Sequence, residues 1–136
     1  MIPVLLWALG ILFFLGSSIL SLGRLVPENP GDMRFNAYVL EHTYRWVRQL
    51  PGHESFWDPP IFYPQTNTLA YSDTLLGTAP IYWLPRLFSV RPEISFLLWI
   101  GILLSLNYGV FYFWAKDAFK LKPLAAALGA FMLALS

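Results

Sequence analysis

The sequence predicts an all-α membrane protein: transmembrane helices bracket a large extracytoplasmic loop that contains two juxtamembrane helices. Three observations carry this expectation. Residues 2–22 have no charge, and residues 94–115 hold only Ser95, Ser105 and Asn107 as clearly polar groups; about 20 apolar residues suffice to cross the hydrocarbon core as a helix. Between them, residues 24–93 carry Glu28, Asp32, Glu41, Glu54, Asp58, Asp73 and Glu93, leaving only Asp117 outside. A short connector after the second apolar run holds Lys116, Lys120 and Lys122. The apolar fraction of 57% and the aromatic fraction of 18% fit the same class.

Residues 1–23 form the first expected transmembrane helix. Its apolar run exceeds the roughly 7–15 residues of a signal-peptide core, and no Lys or Arg precedes it. Ser21 and Gly23 make a poor cleavage site, and further hydrophobic segments follow, so the helix is read as uncleaved. Residues 94–115 form the second transmembrane helix, and 116–122 the connector. Residues 123–136 begin a third, so the chain reads as the N-terminal piece of a longer polytopic protein. With no cysteine, disulfides and thiolate metal sites are excluded.

Orientation follows from the lysines. Short Lys/Arg-rich loops stay cytoplasmic, which puts 116–122 inside, 24–93 outside and the N-terminus in the cytoplasm. Two crossings before Lys116 satisfy this; three do not. The segment 74–89, TLLGTAPIYWLPRLFS, is therefore expected to lie at the interface rather than to cross. It is short for a span and is interrupted by Pro80 and Pro85. Tyr82, Trp83 and Arg86 suit an interface, where amphipathic rings and long basic side chains collect.

Within the loop, residues 32–50 read as a surface helix. Met33, Ala37, Leu40, Tyr44 and Val47 recur at steps of three and four and make one apolar face. Arg34, Glu41, Arg45 and Arg48 fall opposite, with Glu41 and Arg45 in the favourable i,i+4 order. Pro51-Gly52 marks the stop. The run HESFWDPPIFYPQTNTLAYSD, residues 53–73, has little periodicity and three prolines, so an irregular, extended path is expected. Its rings are too numerous for disorder. They need a surface, a helix or a ligand, and aromatic faces also suit sugar rings.

Asp32 has two readings on local chemistry. It caps the surface helix, accepting an early backbone N–H, or it is a carboxylate that binds a divalent cation or acts as a general base. Arg34 is a solvated arginine, a partner of Asp32 or a phosphate contact. Glu41 and His42 read as a salt-bridge residue and an interface polar residue. His53-Glu54 has no second histidine at zinc-protease spacing, and Asp58 and Asp73 read as turn or cap residues. There is no phosphate-cradling glycine loop, and the basic residues form no nucleic-acid patch.

Together, GDMRFNAYVLEHTYRWVRQ and FWDPPIFYPQTNTLAYSDTLLGTAPIYWLPRLF, flanked by membrane helices, resemble the start of the GT-C class of polytopic membrane glycosyltransferases. The resemblance is strongest to a bacterial branch with a GD-x-x-x-N helix start and an FYP-x-x-N-T-L-A-x-S-D/E segment, and it covers most of the chain. It implies that Asp32 is the catalytic or metal-associated carboxylate at the head of the first juxtamembrane helix, and that 74–89 is the second. Met33-Arg34 departs from branches that carry a second acid after the first, and the class's later acidic residue would lie beyond Ser136, so the fragment alone is expected to be inactive.

The implied reaction moves a sugar from a polyprenyl-phosphate donor to an acceptor at the outer face of a bacterial inner membrane. The carboxylate serves as general base, and arginines or a cation stabilise the leaving phosphate. On this reading Arg34, Arg45, Arg48, Trp57, Tyr63 and Asp73 contact substrate. Mg²⁺ or Mn²⁺ suits such carboxylates, although some members of the class need no metal. The rival expectation is a non-enzymatic transporter or assembly subunit for cell-surface polysaccharide. Intramembrane charges would favour it, and the two spans hold none.

Overall fold

A computed structural model describes residues 1–24, 30–62 and 64–134. Among these the chain is all-helical apart from turns and irregular segments. Five α-helices follow in order: α1 (Ile2–Leu20), α2 (Pro30–Val47), α3 (Ala79–Leu87), α4 (Pro92–Ala118) and α5 (Pro123–Ala134), with a 3₁₀ turn at Thr68–Tyr71. The chain divides into two compact units, one of Met1–Pro27 with Leu97–Ser136 and one of Glu28–Phe96.

In the first unit, α1 and most of α4 are the two helices long and apolar enough to cross a membrane. Both leave most of their apolar surface uncovered. Leu5, Leu12 and Phe13 on α1 and Ile102, Leu106 and Val110 on α4 are exposed, unlike the helices of a water-soluble core, which turn such residues inward. Small residues mark where helices approach. α1 packs on α5, and Gly10 on α1 and Ala126, Ala127 and Ala130 on α5 are buried. α4 meets α1 where the Leu15 side chain lies against Gly101, 3.5 Å from the position of an added Cβ. Two polar ties join the same helices: Trp7 Nε1 donates to Ser105 Oγ at 3.0 Å, and Tyr108 Oη donates to the Pro3 carbonyl at 2.8 Å. Such bonds are favoured in an apolar surround, where the alternative is an unsatisfied group.

In the second unit, α2 packs on α3. Proline opens both helices without loss, since an N–H in the first turn has no intrahelical partner: Pro30 is the first residue of α2 and Pro80 the second of α3. The segment 74–89 is thus helical only over Ala79–Leu87. Pro85 does not break it, although its missing N–H removes one bond from the ladder.

The ends of α1, α2 and α3 share one device. After α2, Gln49 adopts φ 51°, its N–H bonds the Trp46 carbonyl, and the Leu50 N–H reaches back to Arg45. Leu22 and Ser89 repeat this after α1 and α3. This pairing satisfies the last carbonyls of a helix. It stops α2 three residues before the expected end at Leu50, because the left-handed turn at Gln49 intervenes before Pro51-Gly52.

Candidate functional site

The second unit is organised by an ion pair that joins α2 to α3. Glu41 accepts hydrogen bonds from Arg86 Nε and Nη2 at 2.9 and 3.0 Å, from Tyr82 Oη at 2.8 Å and from Arg45 Nε at 2.8 Å. The Glu41 and Arg86 side chains are 15% and 16% exposed, against 45% for Arg45. The arrangement follows from spacing: Tyr82 and Arg86 are one turn apart on α3 and present both donors to one carboxylate. Burial alone would raise the Glu41 pKa, but the donors from Arg86, Arg45 and Tyr82 outweigh it and hold the carboxyl below its ordinary range. Burial and the Glu41 carboxylate push the Tyr82 phenol far up, so it stays a donor. Around this centre, the Arg86 guanidinium lies over the Tyr44 ring at 5.1 Å, Tyr44 Oη donates to the Arg86 carbonyl at 3.1 Å, and Trp83 Nε1 donates to Thr43 Oγ1 at 3.2 Å.

Behind that face lies a buried histidine pair. His42 Nδ1 and His53 Nδ1 are 2.8 Å apart, and His42 Nε2 is 3.0 Å from the Phe56 carbonyl. A carbonyl only accepts, so His42 carries its proton on Nε2 and its Nδ1 accepts from His53 Nδ1–H. The pair ties the segment after α2 back onto the helix. Tyr38 stacks parallel to His42, and Phe56 packs on Trp46. Burial first, then the neighbouring His42 and Arg45, lower the His53 pKa.

The segment after the pair is pinned by Asp58. Its carboxylate accepts from Ser55 Oγ at 2.6 Å and from the Asn67 backbone N–H at 2.5 Å, which hold its pKa down. The Leu69 N–H bonds the Trp57 carbonyl at 3.1 Å, and Leu69 is buried. Among its described residues, the irregular path expected for 53–73 is therefore a fixed loop, closed by a carboxylate acting as a turn residue.

The expected apolar face of α2 is displaced. Val39, Leu40, His42 and Thr43 are buried, whereas Val47 is exposed. Glu41, expected on the polar side, points at α3. The physical reason is α3, which supplies Arg86 and Tyr82 and makes that stripe a place for a paired carboxylate.

The residues assigned to a site fall in separate places. Asp32 lies in the first turn of α2, two residues inside the helix rather than before it, and is exposed. An acid there still favours the positive end of the helix dipole. Arg34 is exposed nearby. Arg45 and Arg48 sit at the other end of the helix, about 20 Å along its axis at 1.5 Å per residue; Arg45 is engaged by Glu41, and Arg48 is exposed. They do not share a reacting centre with Asp32. Trp57 is partly exposed against Phe56, and Asp73 is exposed before α3. Tyr63 lies outside the described residues. The described residues contain no group of three or more His, Asp or Glu side chains placed to hold a metal ion, so Mg²⁺ or Mn²⁺ at Asp32 would need ligands from elsewhere.

The Glu41–Arg45 pair was expected from the sequence, whereas the clamp that Arg86 and Tyr82 complete on Glu41, and the histidine pair, were not. Glu41 and Arg86 are 45 residues apart, and no local period couples them. Compared with known protein families, with curated proteins and with solved structures, the chain matches none.

Proposed function

We propose that this chain is the N-terminal part of an integral membrane glycosyltransferase that moves a sugar from a polyprenyl-phosphate donor to an acceptor at the outer face of a cell membrane. The unit between α1 and α4 would be its extracytoplasmic, juxtamembrane part, with the N-terminus and the connector 116–122 in the cytoplasm. One observation carries the reading: an independently packed, arginine- and ring-rich unit, inserted between two helices apolar enough to span, holds an exposed carboxylate on a helix that is locked in place. A passive anchor needs no such unit. A rigid helix that presents a carboxylate is what general-base catalysis requires.

In the proposed reaction Asp32 removes the proton from the acceptor hydroxyl. The acceptor oxygen attacks the anomeric carbon, the bond from that carbon to the phosphate oxygen breaks, and the lipid phosphate leaves with the electron pair. Arginines of this unit would meet the phosphate charge; Arg34, two residues on from Asp32, leaves α2 on a different face. Arg48, at the far end, is left to meet anionic headgroups.

The test is Asp32→Asn in the membrane-inserted protein, with transfer from a polyprenyl-phosphate sugar measured in vesicles. Loss of a general base should lower transfer by roughly 10²-fold or more. Loss of charge in the first turn should cost under about 1 kcal/mol of stability. Unchanged transfer by Asp32→Asn would remove Asp32 from the chemistry.

A further inference from the structure

Apart from the clamp and the histidine pair, the second unit has an open groove of about 340 Å³ lined by Phe62, Gln65, Thr66, Thr68 and Tyr71. We propose that this groove is a saccharide-binding subsite that takes one neutral sugar ring, an assignment that rests on the glycosyltransferase reading and supplies the sugar contact of that reaction. Three features of the lining select this ligand.

The first is the pairing of rings with neutral polar groups. Phe62 and Tyr71 are 45% and 90% exposed, and their faces suit the C–H side of a sugar ring. Gln65, Thr66 and Thr68 supply amide and hydroxyl groups that both donate and accept, as sugar hydroxyls do. The second is charge. Among the described residues no Lys, Arg, Asp or Glu lines the groove, so these give a phosphate or an anionic headgroup no counter-charge there. Its volume sits at the small end of ligand pockets, about 300–1,000 Å³. The third is an unmet hydrogen bond. Thr68 Oγ1 is out of water and has no partner as it stands, which costs free energy. A turn about χ1 to another staggered rotamer lets a ligand hydroxyl meet it.

The wall is also fixed before any ligand arrives. Asn67 takes a left-handed conformation, φ 55°, held by its N–H bond to Asp58. The Ala70 and Ser72 N–H groups close the turn onto Asn67 and Leu69, and the Gln65 N–H bonds the Phe62 carbonyl. A preset wall lowers the ordering cost of binding. The stretch from Gln65 to Tyr71, part of the aromatic run singled out in the sequence, thereby gains a role that its aromatic content alone did not assign.

The test reads binding without turnover. The protein in nanodiscs is offered the methyl glycosides of glucose, galactose, mannose and N-acetylglucosamine, one at a time, and saturation transfer to the sugar C–H protons is recorded with titration. At least one glycoside should receive transfer. Tyr71→Ala should weaken its Kd by roughly three- to tenfold, the scale of a lost aromatic contact, and Tyr71→Phe should preserve it. Thr68→Val should weaken binding, and Thr68→Ser should restore it. Tyr71 is almost wholly exposed, so its truncation leaves the fold intact. Absence of transfer to all four glycosides, or transfer unchanged in both Tyr71→Ala and Thr68→Val, overturns the subsite. Because no sugar is moved in this experiment, an inert Asp32 leaves its outcome untouched.

Discussion

At Glu41, three cationic or phenolic partners converge on one carboxylate, and the order of their importance follows from burial. Arg86 is little exposed, so removing its counter-ion leaves a charge without compensation. Glu41→Ala should destabilise the second unit by about 3 kcal/mol. Arg45 is nearly half-exposed on the same carboxylate, and its removal by Arg45→Ala should cost well under about 1 kcal/mol. Tyr82→Phe loses one hydrogen bond to a charged acceptor and falls between them, at about 1.5–2 kcal/mol. Chemical denaturation of the three variants followed by tryptophan fluorescence ranks them, and an Arg45→Ala effect equal to that of Glu41→Ala would contradict the burial argument. The i,i+4 half of this cluster was legible in the sequence, because Glu41 and Arg45 are neighbours on any helix. The Arg86 half was not, since a contact between residues so far apart needs the packing of α2 on α3.

Helices were legible as elements wherever composition or period was strong. Both long apolar runs and the amphipathic helix after residue 30 appear with ends shifted by one to three residues. The shifts have causes: prolines start α2 and α4, and left-handed residues without glycine close α2 and α3. Such residues carry strain that glycine would relieve, so Gln49→Gly should raise stability by about 0.5–1 kcal/mol, readable as an upward shift in Tm.

What no period revealed is how the segment after α2 is held, and its histidine pair gives that element a pH dependence. His53 has its pKa lowered in the folded unit by burial, with His42 and Arg45 adding to the effect and Glu41 and Glu54 opposing it. Below about pH 6.5 the unfolded chain therefore binds more protons than the folded one, and stability falls as the pH drops toward the folded pKa. Glu41 follows in a lower window. Its contribution is present above about pH 4.5 and is lost as the pH falls further. Tm measured against pH should show a first decline beginning near pH 6.5 that His53→Gln flattens, and a second in the carboxylate range that remains. A single decline, confined to the carboxylate range in the parent protein, would contradict the buried-pair geometry.

For the whole molecule, two helices able to cross a membrane flank a unit with its own packing, and the roles proposed for Asp32 and for the groove both require that unit to face the side where the lipid-linked sugar is used. The lysine-rich connector argues for this orientation, and the helix Ala79–Leu87, nine residues long, is too short to add a crossing at 1.5 Å per residue against a core about 30 Å thick. Since the chain has no cysteine, single cysteines report cleanly. Ser55→Cys in the second unit and Lys120→Cys in the connector, probed in intact cells or sealed vesicles with a membrane-impermeant maleimide, measure the arrangement directly. The expected result is labelling of Ser55→Cys from the outer side only and of Lys120→Cys from the cytoplasmic side only. Labelling of both positions from one side would contradict the two-crossing arrangement, and labelling with the two sides exchanged would place the unit away from an outer-face donor.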